Sequence, residues 1–349
     1  MLRDEQTEAL VVGAGPVGML TALLLAEAGI AVGVIDEESR QAARSYACAL
    51  HPHSLELLDR LGLARELIAD GQRIETLAFY EGAERRAEVH LSKLATEFPF
   101  LLVTPQSALE EALERGLRQH AHVEVRWNHR LSSVREENGA VVATIDKLVE
   151  TARGYIVPTW DWVVGKTLQT RVDFLIGADG HNSYVRRALG IEYEGVSAPE
   201  AFEVYEFETD IALSPSVAVV LDKTSTNVMW PLTGQRCRWS FQLPSVQDTE
   251  FPTKERSGFV ILPSSPDQTR QRVQTLLRER APWFKSSVGD LGWSSQVEFE
   301  HRLAKQFGRG HVWLAGDSAH QTGPVGMQSM NVGLREAEQL ANEVGRAHV

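Results

Sequence analysis

The strongest constraint on the fold lies in the first 36 residues, where a short apolar segment runs into a glycine-rich turn. Residues 10–12 are apolar and lead directly into Gly13-x-Gly15-x-x-Gly18. A helical pattern of apolar residues follows, and then a second apolar segment that ends on Asp36. A strand, a glycine turn, a helix, a second strand and a terminal acid in this order predict a β–α–β unit that binds a dinucleotide.

The glycines of this unit have separate physical roles. Gly13 permits the tight turn, Gly15 lets a pyrophosphate approach the backbone, and Gly18 allows the helix to pack closely on the strand. Unpaired N–H groups and a partial positive charge at a helix N-terminus attract phosphate groups. We therefore expect Pro16 and Val17, which begin the helix, to lie at the same site.

The acid at the end of the second strand indicates where a ribose binds. Asp36 can accept hydrogen bonds from ribose hydroxyls and would repel a 2′-phosphate. Its neighbour Glu37 is expected to line the same site. This unit alone does not distinguish FAD from NAD.

Two later stretches repeat the arrangement of a strand that ends in glycine and aspartate. Residues 172–176 are followed by a turn that contains Asp179, and residues 311–315 are followed by Gly316 and Asp317. Beside glycine the backbone can approach a ligand closely, and a carboxylate can bind sugar hydroxyls. Either acid alone is most simply a turn residue. Together with the first unit, the two stretches predict further parts of one dinucleotide site.

Composition excludes several other classes of protein. The chain has 349 residues with 43% hydrophobic and 23% charged residues, as in an ordinary globular protein. A net charge of −12 argues against nucleic acid as a partner. Cys48 and Cys237 have no CxxC spacing, so we expect no metal site, no disulfide framework and a cytoplasmic location. The longest apolar run is broken by glycines, and we expect no membrane span.

The three glycine-rich stretches, taken together, resemble the fingerprints of the para-hydroxybenzoate hydroxylase family, the single-component FAD-dependent aromatic hydroxylases. The matching motifs are Gly13-x-Gly15-x-x-Gly18, Gly177-Ala178-Asp179-Gly180-x-x-Ser183-x-Val185-Arg186 and Gly316-Asp317-Ser318-Ala319-His320. A fourth match is Thr104-Pro105-Gln106-Ser107-x-Leu109-Glu110, which resembles a helix start that carries a flavin-contacting glutamine.

For the nucleotide end of the cofactor, this resemblance implies specific contacts. Gly13, Gly15 and Gly18 would line the pyrophosphate of FAD, and Asp36 would bind the adenosine ribose. Asp179 belongs to a motif associated with both the pyrophosphate and NADH or NADPH. Two further cofactor contacts are implied, Arg44 after the second strand and Gln106 at the ribityl region.

For the flavin end, the resemblance implies that Asp317 binds the ribityl chain and that Pro324 lies near flavin and substrate. A helix that begins near Asn331 would direct its N-terminus at the flavin ring. The implied cofactor contacts in this stretch are Gly316, Asp317, Pro324, Gln328, Ser329, Met330 and Asn331.

The chain departs from the family pattern in this loop, because Met327 and Ser329 replace two expected glycines. Those glycines allow positive φ and close approach of the backbone to the ring. The departure therefore bears on where the flavin ring lies, and it leaves adenosine and pyrophosphate binding untouched.

The sequence between the fingerprints predicts a separate substrate-binding sheet. Residues 217–221, 227–232 and 237–242 have the pattern of neighbouring antiparallel strands. In the family such a sheet covers the flavin, and the candidates for the substrate wall are Met229, Trp230, Pro231 and Phe241.

The fold class expected is α/β, a Rossmann-like FAD-binding domain with an inserted mixed or antiparallel β-sheet substrate domain. The FAD-binding domain would be discontinuous, comprising residues 1–75, 101–190 and 296–349. The substrate-binding sheet domain would comprise residues 76–100 and 191–295.

The function that the resemblance implies is a flavoprotein monooxygenase. It would use FAD, NADH or NADPH, and dioxygen to hydroxylate an aromatic, phenolic or polyketide-like small molecule through a flavin C4a-hydroperoxide. The sequence shows no side chain that demands a nucleophilic or metal-based mechanism. Alternatives are a flavin-dependent halogenase, another FAD oxidoreductase of the same fold, or a non-catalytic flavin-binding partner in a biosynthetic complex.

Overall fold

A computed structural model of the chain describes residues 7–39, 47–153, 159–243, 259–260, 265–323 and 325–348. Its central element is a six-stranded sheet, in the order β21 (Gly308–Arg309), β22 (Val312–Leu314), β12 (Phe174–Gly177), β1 (Ala9–Val12), β2 (Val32–Ile35) and β8 (Val123–Arg126). All neighbouring pairs are parallel except β21 with β22. A parallel sheet of this kind needs cover on both faces.

Helices cover one face of this sheet. They are α1 (Pro16–Glu27), α2 (Pro52–Arg60), α3 (Ala64–Asp70), α4 (Gln106–Leu117) and α7 (Gln328–His348). Their apolar side chains form one buried core with Val11, Val34 and Ile176 of the sheet. Helix α1 is apolar almost all round because it lies between the sheet and its neighbours.

The opposite face carries a second layer of strands and a short helix. The strands are β9 (His129–Glu137), β10 (Ala140–Arg153) and β11 (Thr159–Val172), and the helix is α5 (Tyr184–Ala188). Val141, Ala143 and Ile145 of β10 pack against Leu10 and Leu175 of the central sheet. The central sheet is therefore buried on both faces, which agrees with its uninterrupted apolar strands.

A mixed sheet of eight strands forms the second large element of the described chain. In order, the strands are β18 (Phe259–Val260), β19 (Leu291–Phe299), β14 (Glu200–Glu208), β17 (Arg236–Gln242), β16 (Thr226–Leu232), β15 (Ser216–Leu221), β5 (Thr76–Glu81) and β6 (Glu84–His90). The pairs β15–β16 and β16–β17 are antiparallel, as the sequence predicts, and β5 pairs parallel with β15.

Two small antiparallel sheets join these elements. One contains β3 (Ala47–Leu50), β7 (Leu101–Pro105) and β4 (Gln72–Ile74), and the other contains β13 (Tyr193–Gly195), β20 (Arg302–Ala304) and β23 (His320–Gln321). Short 3-10 helices span Leu91–Lys93 and Gly316–Ser318. The predicted fold class, an α/β nucleotide-binding fold with an inserted mixed sheet, is confirmed. The exact domain boundaries stay a prediction.

Helix α6 (Pro266–Arg280) covers one face of the eight-stranded sheet. It begins with a capping box, in which the Ser265 hydroxyl accepts a hydrogen bond from the Gln268 amide and the Gln268 side chain accepts one from the Ser265 amide. Val273, Leu276 and Leu277 then pack against an aromatic core that includes Trp239. Because side chains alternate along a strand, the residues between these core positions face the nucleotide-binding part of the molecule.

No helix in the described ranges is long and apolar enough to cross a membrane.

Removing part of the α6 contact tests this packing. Leu276 is buried with 1% of its surface exposed, so Leu276→Ala should lower the free energy of unfolding by about 2–5 kcal/mol through lost burial and a cavity. Urea denaturation followed by tryptophan fluorescence measures the change. Gln271→Ala, at an exposed position of the same helix, should change it by less than about 0.5 kcal/mol. Equal effects of the two substitutions would contradict the assigned helix face.

Candidate FAD site

Three neighbouring parallel strands bring the three fingerprints to one edge of the central sheet. Val12 of β1 lies beside Gly177 of β12, and Gly177 lies beside Leu314 of β22. The amide of Ala178 donates to the carbonyl of Val12 at 2.7 Å, and the amide of Ala315 donates to Gly177 at 3.0 Å. The glycine-rich turns after these strands are therefore adjacent, at the end of a parallel sheet where ligands bind in such folds.

The first two turns touch each other through backbone alone. A Cβ atom on Gly13 would overlap the carbonyl oxygen of Ala178, and φ at Gly13 is +104°. A Cβ atom on Gly18 would overlap the carbonyl oxygen of Gly13. A Cβ on Gly15, in contrast, would meet nothing within 4 Å. Packing therefore requires Gly13 and Gly18, while Gly15 leaves the start of α1 open to a ligand.

The third turn packs on the first turn of α1. φ at Gly316 is +64°, and a Cβ there would lie 3.1 Å from a methyl group of Val17. The hydroxyl of Ser318 donates to the carbonyl of Gly177 at 2.6 Å, which ties the third turn to the second. Pro16 and Val17 thus begin α1 at the point where the three turns meet.

A buried arginine links the second and third fingerprints. Arg186 is 6% exposed and donates to the carbonyls of Ser318 at 2.8 Å and His181 at 2.7 Å. Its guanidinium carbon lies 3.8 Å from the centre of the Tyr193 ring, a cation–π contact. Burial lowers the pKa of Arg186, and the neighbouring Tyr193 and Asp179 partly offset that effect. In this structure, the arginine of the second fingerprint fixes the relative position of two turns.

A cavity of about 600 Å³ lies beside the first and second turns, at the ends of β1, β2 and β12. Its size suits the adenosine diphosphate half of a dinucleotide. The lining residues predicted from the sequence are Gly13, Gly15, Asp36, Glu37 and Asp179.

Asp36 is held in place by two backbone groups. One carboxylate oxygen accepts the amide of Ala14 at 2.7 Å, and the other accepts the amide of Glu38 at 2.9 Å. Each oxygen has a further lone pair that can accept a hydroxyl hydrogen. The carboxylate is thereby oriented beside the glycine turn, where the sequence predicts a ribose.

Asp179 provides a test of whether the cavity suits FAD. One of its carboxylate oxygens accepts the amide of Val185 at 3.1 Å, at the start of α5. The other is buried and has no partner among the described residues. Burial raises the pKa of this carboxyl, and hydrogen bonds from Ser183 and Val185 partly offset that effect. An unsatisfied oxygen in a cavity wall fits a ligand with hydrogen-bond donors, such as the hydroxyls of FAD or water bound with it.

The loop before α7 keeps a left-handed backbone at a position where glycine was expected. φ is +81° at Gly326 and +49° at Met327. Such a conformation costs a residue with a side chain on the order of 1 kcal/mol. Two hydrogen bonds hold it, from Asn331 to the carbonyl of Met327 at 2.8 Å and between the ring of His51 and the carbonyl of Gly326 at 2.9 Å. The methionine therefore preserves the positive φ that the family's glycine allows.

The side chain of His51, which bonds to the carbonyl of Gly326, is half-buried. Burial lowers the pKa of its ring, against the opposing effect of the Gly326 carbonyl. The neutral ring then donates from Nε2 to that carbonyl.

The side chain of Asn331 has a structural role, so a cofactor contact by this residue stays a prediction for its backbone only. Its oxygen accepts the amide of His51 at 2.9 Å and the hydroxyl of Ser54 at 2.8 Å. Its nitrogen donates to the carbonyls of Ala49 at 2.7 Å and Met327 at 2.8 Å. The amide group has no remaining hydrogen-bonding capacity, so it cannot bind the flavin.

The other residues of this loop that were predicted to contact the cofactor have different surroundings. The hydroxyl of Ser329 donates to a carboxylate oxygen of Asp317 at 2.6 Å, so the residue that replaces a glycine binds the acid expected at the ribityl chain. Gln328 is exposed at the start of α7. Met330 packs against the helical core with its side chain partly buried, and its contact with the cofactor stays a prediction. Pro324 lies outside the described residues.

Gln106 begins α4, as the resemblance implies, and donates to Glu110 at 2.8 Å. Burial raises the pKa of Glu110, against the hydrogen bond from Gln106, and the charge of Asp36 raises it further. The start of α4 therefore lies within electrostatic reach of Asp36, the acid predicted to bind the ribose. Arg44 lies outside the described residues.

The predicted substrate wall requires correction. Met229 and Phe241 lie in the core beneath α6, on the sheet face turned away from the nucleotide turns. Pro231 points the same way, because it is paired with Cys237 of that core. Trp230 alone faces the other side, in a cluster with Val103 of β7 and with Met327.

Sequence reasoning missed polar residues on the face that carries Trp230. Ser240 and Arg238 alternate with the core positions of β17, and Arg238 donates to Glu206 at 2.7 Å. Both members of this ion pair are largely buried, with side chains 8% and 13% exposed. Strand periodicity could have indicated this face, because side chains of consecutive residues 229, 230 and 231 alternate between the two faces of the sheet. Arg238 is paired with Trp230 and so lies on the same face.

The fold and the cavity define a dinucleotide-binding flavoprotein of the Rossmann type. The family model described as "FAD binding domain" matches residues 6–347, nearly the whole chain. The chain belongs to the FAD-dependent aromatic hydroxylase family.

Relatives with established names support this assignment. Para-nitrophenol 4-monooxygenase of Pseudomonas sp. (strain WBC-3) is 29% identical over 350 residues, which cover 95% of this chain and 76% of that protein. Pentachlorophenol 4-monooxygenase of Sphingobium chlorophenolicum is 25% identical, and the match covers 95% of this chain and 56% of that protein. The chain thus spans between about half and three quarters of the length of such relatives.

Solved structures share the fold. The p-nitrophenol 4-monooxygenase of Pseudomonas putida DLL-E4 superposes with a TM-score of 0.77 at 23% identity, covering 99% of this chain and 81% of that one. Aklavinone-11 hydroxylase, solved with FAD and aklavinone, gives a TM-score of 0.73 at 23% identity, covering 99% of this chain and 63% of that one.

Ser329 and Asp317 should act together on cofactor affinity. Removing the hydroxyl with Ser329→Ala leaves Asp317 unrestrained, so we expect FAD to bind roughly 3- to 10-fold more weakly, as for one modest hydrogen bond. Flavin fluorescence titration measures this. In an Asp317→Ala background the same substitution should have no further effect. An equal loss in both backgrounds would show that the hydroxyl acts independently of Asp317.

A histidine and a glutamate connect the third turn to α7. Glu336 accepts the amide of Gly316 at 3.0 Å, and the ring of His320 lies 2.8 Å from the same carboxylate oxygen. Burial lowers the pKa of His320, but the hydrogen bond and charge of Glu336, with Asp317, outweigh it, and the net pKa is raised.

This raised pKa predicts a pH dependence of stability. His320 keeps its proton to a higher pH in the folded than in the unfolded chain, so its contribution is complete below the unfolded pKa near 6.5. The contribution should disappear as the pH rises through the folded pKa. Urea denaturation of wild type and His320→Gln from about pH 5.5 to about pH 9 should show their difference shrinking with pH. A difference that grows with pH would contradict the assignment.

Proposed function

We propose that this chain hydroxylates a phenolic or polyketide-like aromatic molecule, with FAD as cofactor and with NADH or NADPH and dioxygen as co-reactants. The observation that carries the proposal is that two fingerprint turns line one cavity while the third packs directly on them. The loop before α7 also keeps a left-handed backbone. Relatives named for nitrophenol and pentachlorophenol oxidation support the substrate class. We also propose a cytoplasmic location, in keeping with the small number of cysteines and the absence of CxxC spacing in the sequence.

The residues that would hold the cofactor follow from the geometry. The Gly13–Gly15 turn and the N-terminus of α1 would receive the pyrophosphate, and Asp36 would bind the ribose. Asp317, with Ser329, would hold the ribityl chain, and the N-terminus of α7 would lie toward the ring. Bound FAD would supply the oxygen-transfer chemistry. The chain would contribute binding, orientation and the exclusion of water.

A non-catalytic flavin-binding partner is the main alternative, since two glycines of the flavin loop are replaced. The left-handed φ of +49° at Met327 favours the catalytic proposal, because the backbone keeps the form that those glycines permit. Ser329, at the other replaced position, engages the acid that would hold the ribityl chain.

Turnover tests the proposal directly. FAD-reconstituted protein should oxidise NADH or NADPH faster when a phenol is added, at least several-fold above the rate without it. Mass spectrometry with ¹⁸O₂ should find one labelled oxygen atom in the product. Product that instead contains chlorine would indicate a halogenase. Bound FAD without phenol-stimulated oxidation of either nucleotide, across nitrophenols, chlorophenols and polyketide aromatics, would favour the non-catalytic partner.

A further inference from the structure

A histidine and a glutamate form a pair at the end of the eight-stranded sheet, outside every fingerprint. The ring Nε2 of His301 lies 3.0 Å from a carboxylate oxygen of Glu200. Glu200 begins β14, and His301 follows the end of β19, the strand beside it. Their side chains are 33% and 23% exposed, so the pair is sheltered and still accessible. No motif of the sequence marks either residue.

The glutamate is fixed from its other side. Its second carboxylate oxygen accepts the side-chain amide of Gln242 at 2.9 Å. The side-chain oxygen of Gln242 in turn accepts the backbone amide of Thr226 at 2.7 Å. This series of bonds runs across strands β14, β17 and β16 and leaves the glutamate little freedom to rotate.

The pair lies on the sheet face that carries Trp230. Alternation along β14 puts Glu200 on the same side as Phe202 and Val204, whereas Tyr205 and Phe207 lie beneath α6. Gln242 likewise shares its side of β17 with Arg238 and not with the aromatic core. The pair therefore faces the nucleotide-binding part of the molecule.

The loop before α7 passes directly over this pair. A Cβ on Gly323 would lie 2.9 Å from the bonded oxygen of Glu200 and 2.9 Å from Cε1 of His301. Gly323 immediately precedes Pro324, the position expected at the junction of flavin and substrate. The histidine thus lies next to the backbone that would border the substrate.

The arrangement sets the proton positions on the ring. Glu200 accepts a hydrogen bond from Nε2–H, so Nδ1 carries the lone pair of the neutral ring. No described residue is bonded to Nδ1. Its chain neighbours Glu300 and Arg302 pair with each other at 2.7 Å. Among the described residues, Glu200 is the acid bonded to the ring, and it would stabilise a proton gained there.

We propose that His301, oriented by Glu200, is the base that accepts the hydroxyl proton of a phenolic substrate. In this step the substrate O–H bond breaks, its electron pair stays on oxygen as phenolate, and a new N–H bond forms at Nδ1. The imidazolium is stabilised by Glu200 and later returns the proton to water. A phenolate ring is richer in electrons than a phenol, so this step prepares the ring for an electrophilic oxygen. The inference rests on the proposed function, because it assigns a residue to that reaction.

Ionisation of a bound phenol can be measured without turnover. 4-Nitrophenol changes its visible absorption when it loses its proton, and it can be titrated against the FAD-bound protein without NADH or NADPH. We expect wild type to hold phenolate at pH values where the free ligand is still protonated, with an apparent pKa lowered by about one unit or more. In His301→Gln the bound ligand should ionise no more readily than in solution.

Two further variants complete the test. Glu200→Gln retains the base and weakens stabilisation of its charged form, so the pKa of the bound phenol should lie between those of wild type and His301→Gln. His90→Gln, an exposed histidine on edge strand β6, should match wild type. Retention of FAD by each variant shows that it is folded.

The outcomes separate the inference from the proposed function. If 4-nitrophenol binds and its pKa is the same in wild type, His301→Gln and Glu200→Gln, the inference is wrong while the proposed function stands. If 4-nitrophenol and the other nitrophenols, chlorophenols and polyketide phenols of the turnover test all fail to bind to wild type, the proposed substrate class is wrong, and the inference fails with it.

Discussion

Close contact between backbone atoms at the carboxyl ends of three parallel strands is the constraint on which the rest of the structure depends. Gly13 and Ala178 are so near that no side chain fits between their turns, and Val17 fills the space above Gly316. These contacts exist only if β1, β12 and β22 are neighbours in one sheet. The order of the strands and the identity of the glycines are therefore linked, because both are needed to bring the turns together beside the predicted dinucleotide site.

Buried polar groups extend this constraint into the surrounding structure. Arg186 and Ser318 link the second and third turns through backbone carbonyls, and Asn331 joins α7 to β3 and α2 with a fully satisfied amide. Groups of this kind are costly to bury unless every hydrogen bond is made, so they also fix the local geometry. The flavin loop is held by the same network, through Asn331 and His51. Its left-handed Met327 is tolerated because the surrounding bonds determine its conformation.

Sequence reasoning can predict those parts of the fold whose conformation is determined by residues close together in the sequence. The conformation of a glycine turn after an apolar strand depends on residues that are close in sequence. The nucleotide-binding part of the site could therefore be predicted from residues 10–36 and two similar stretches. The face on which a strand residue lies depends on what covers each side. Because α6 covers one face, Met229 and Phe241 lie in the core beneath it, whereas Trp230 packs in a separate cluster on the other face. A search for large apolar residues cannot distinguish these two positions. The pair of Glu200 and His301 was also invisible, since 101 positions separate two unremarkable residues.

The central claim is that the cavity lined by the first two turns, together with the third turn packed against them, binds FAD. A crystal structure of the chain with FAD tests it most directly. The account predicts the pyrophosphate against the Gly13–Gly15 turn, the adenosine ribose at Asp36, and the flavin ring toward the loop of Gly326 and Met327. FAD bound elsewhere on the molecule, or a cavity that stays empty at saturating FAD, would contradict it.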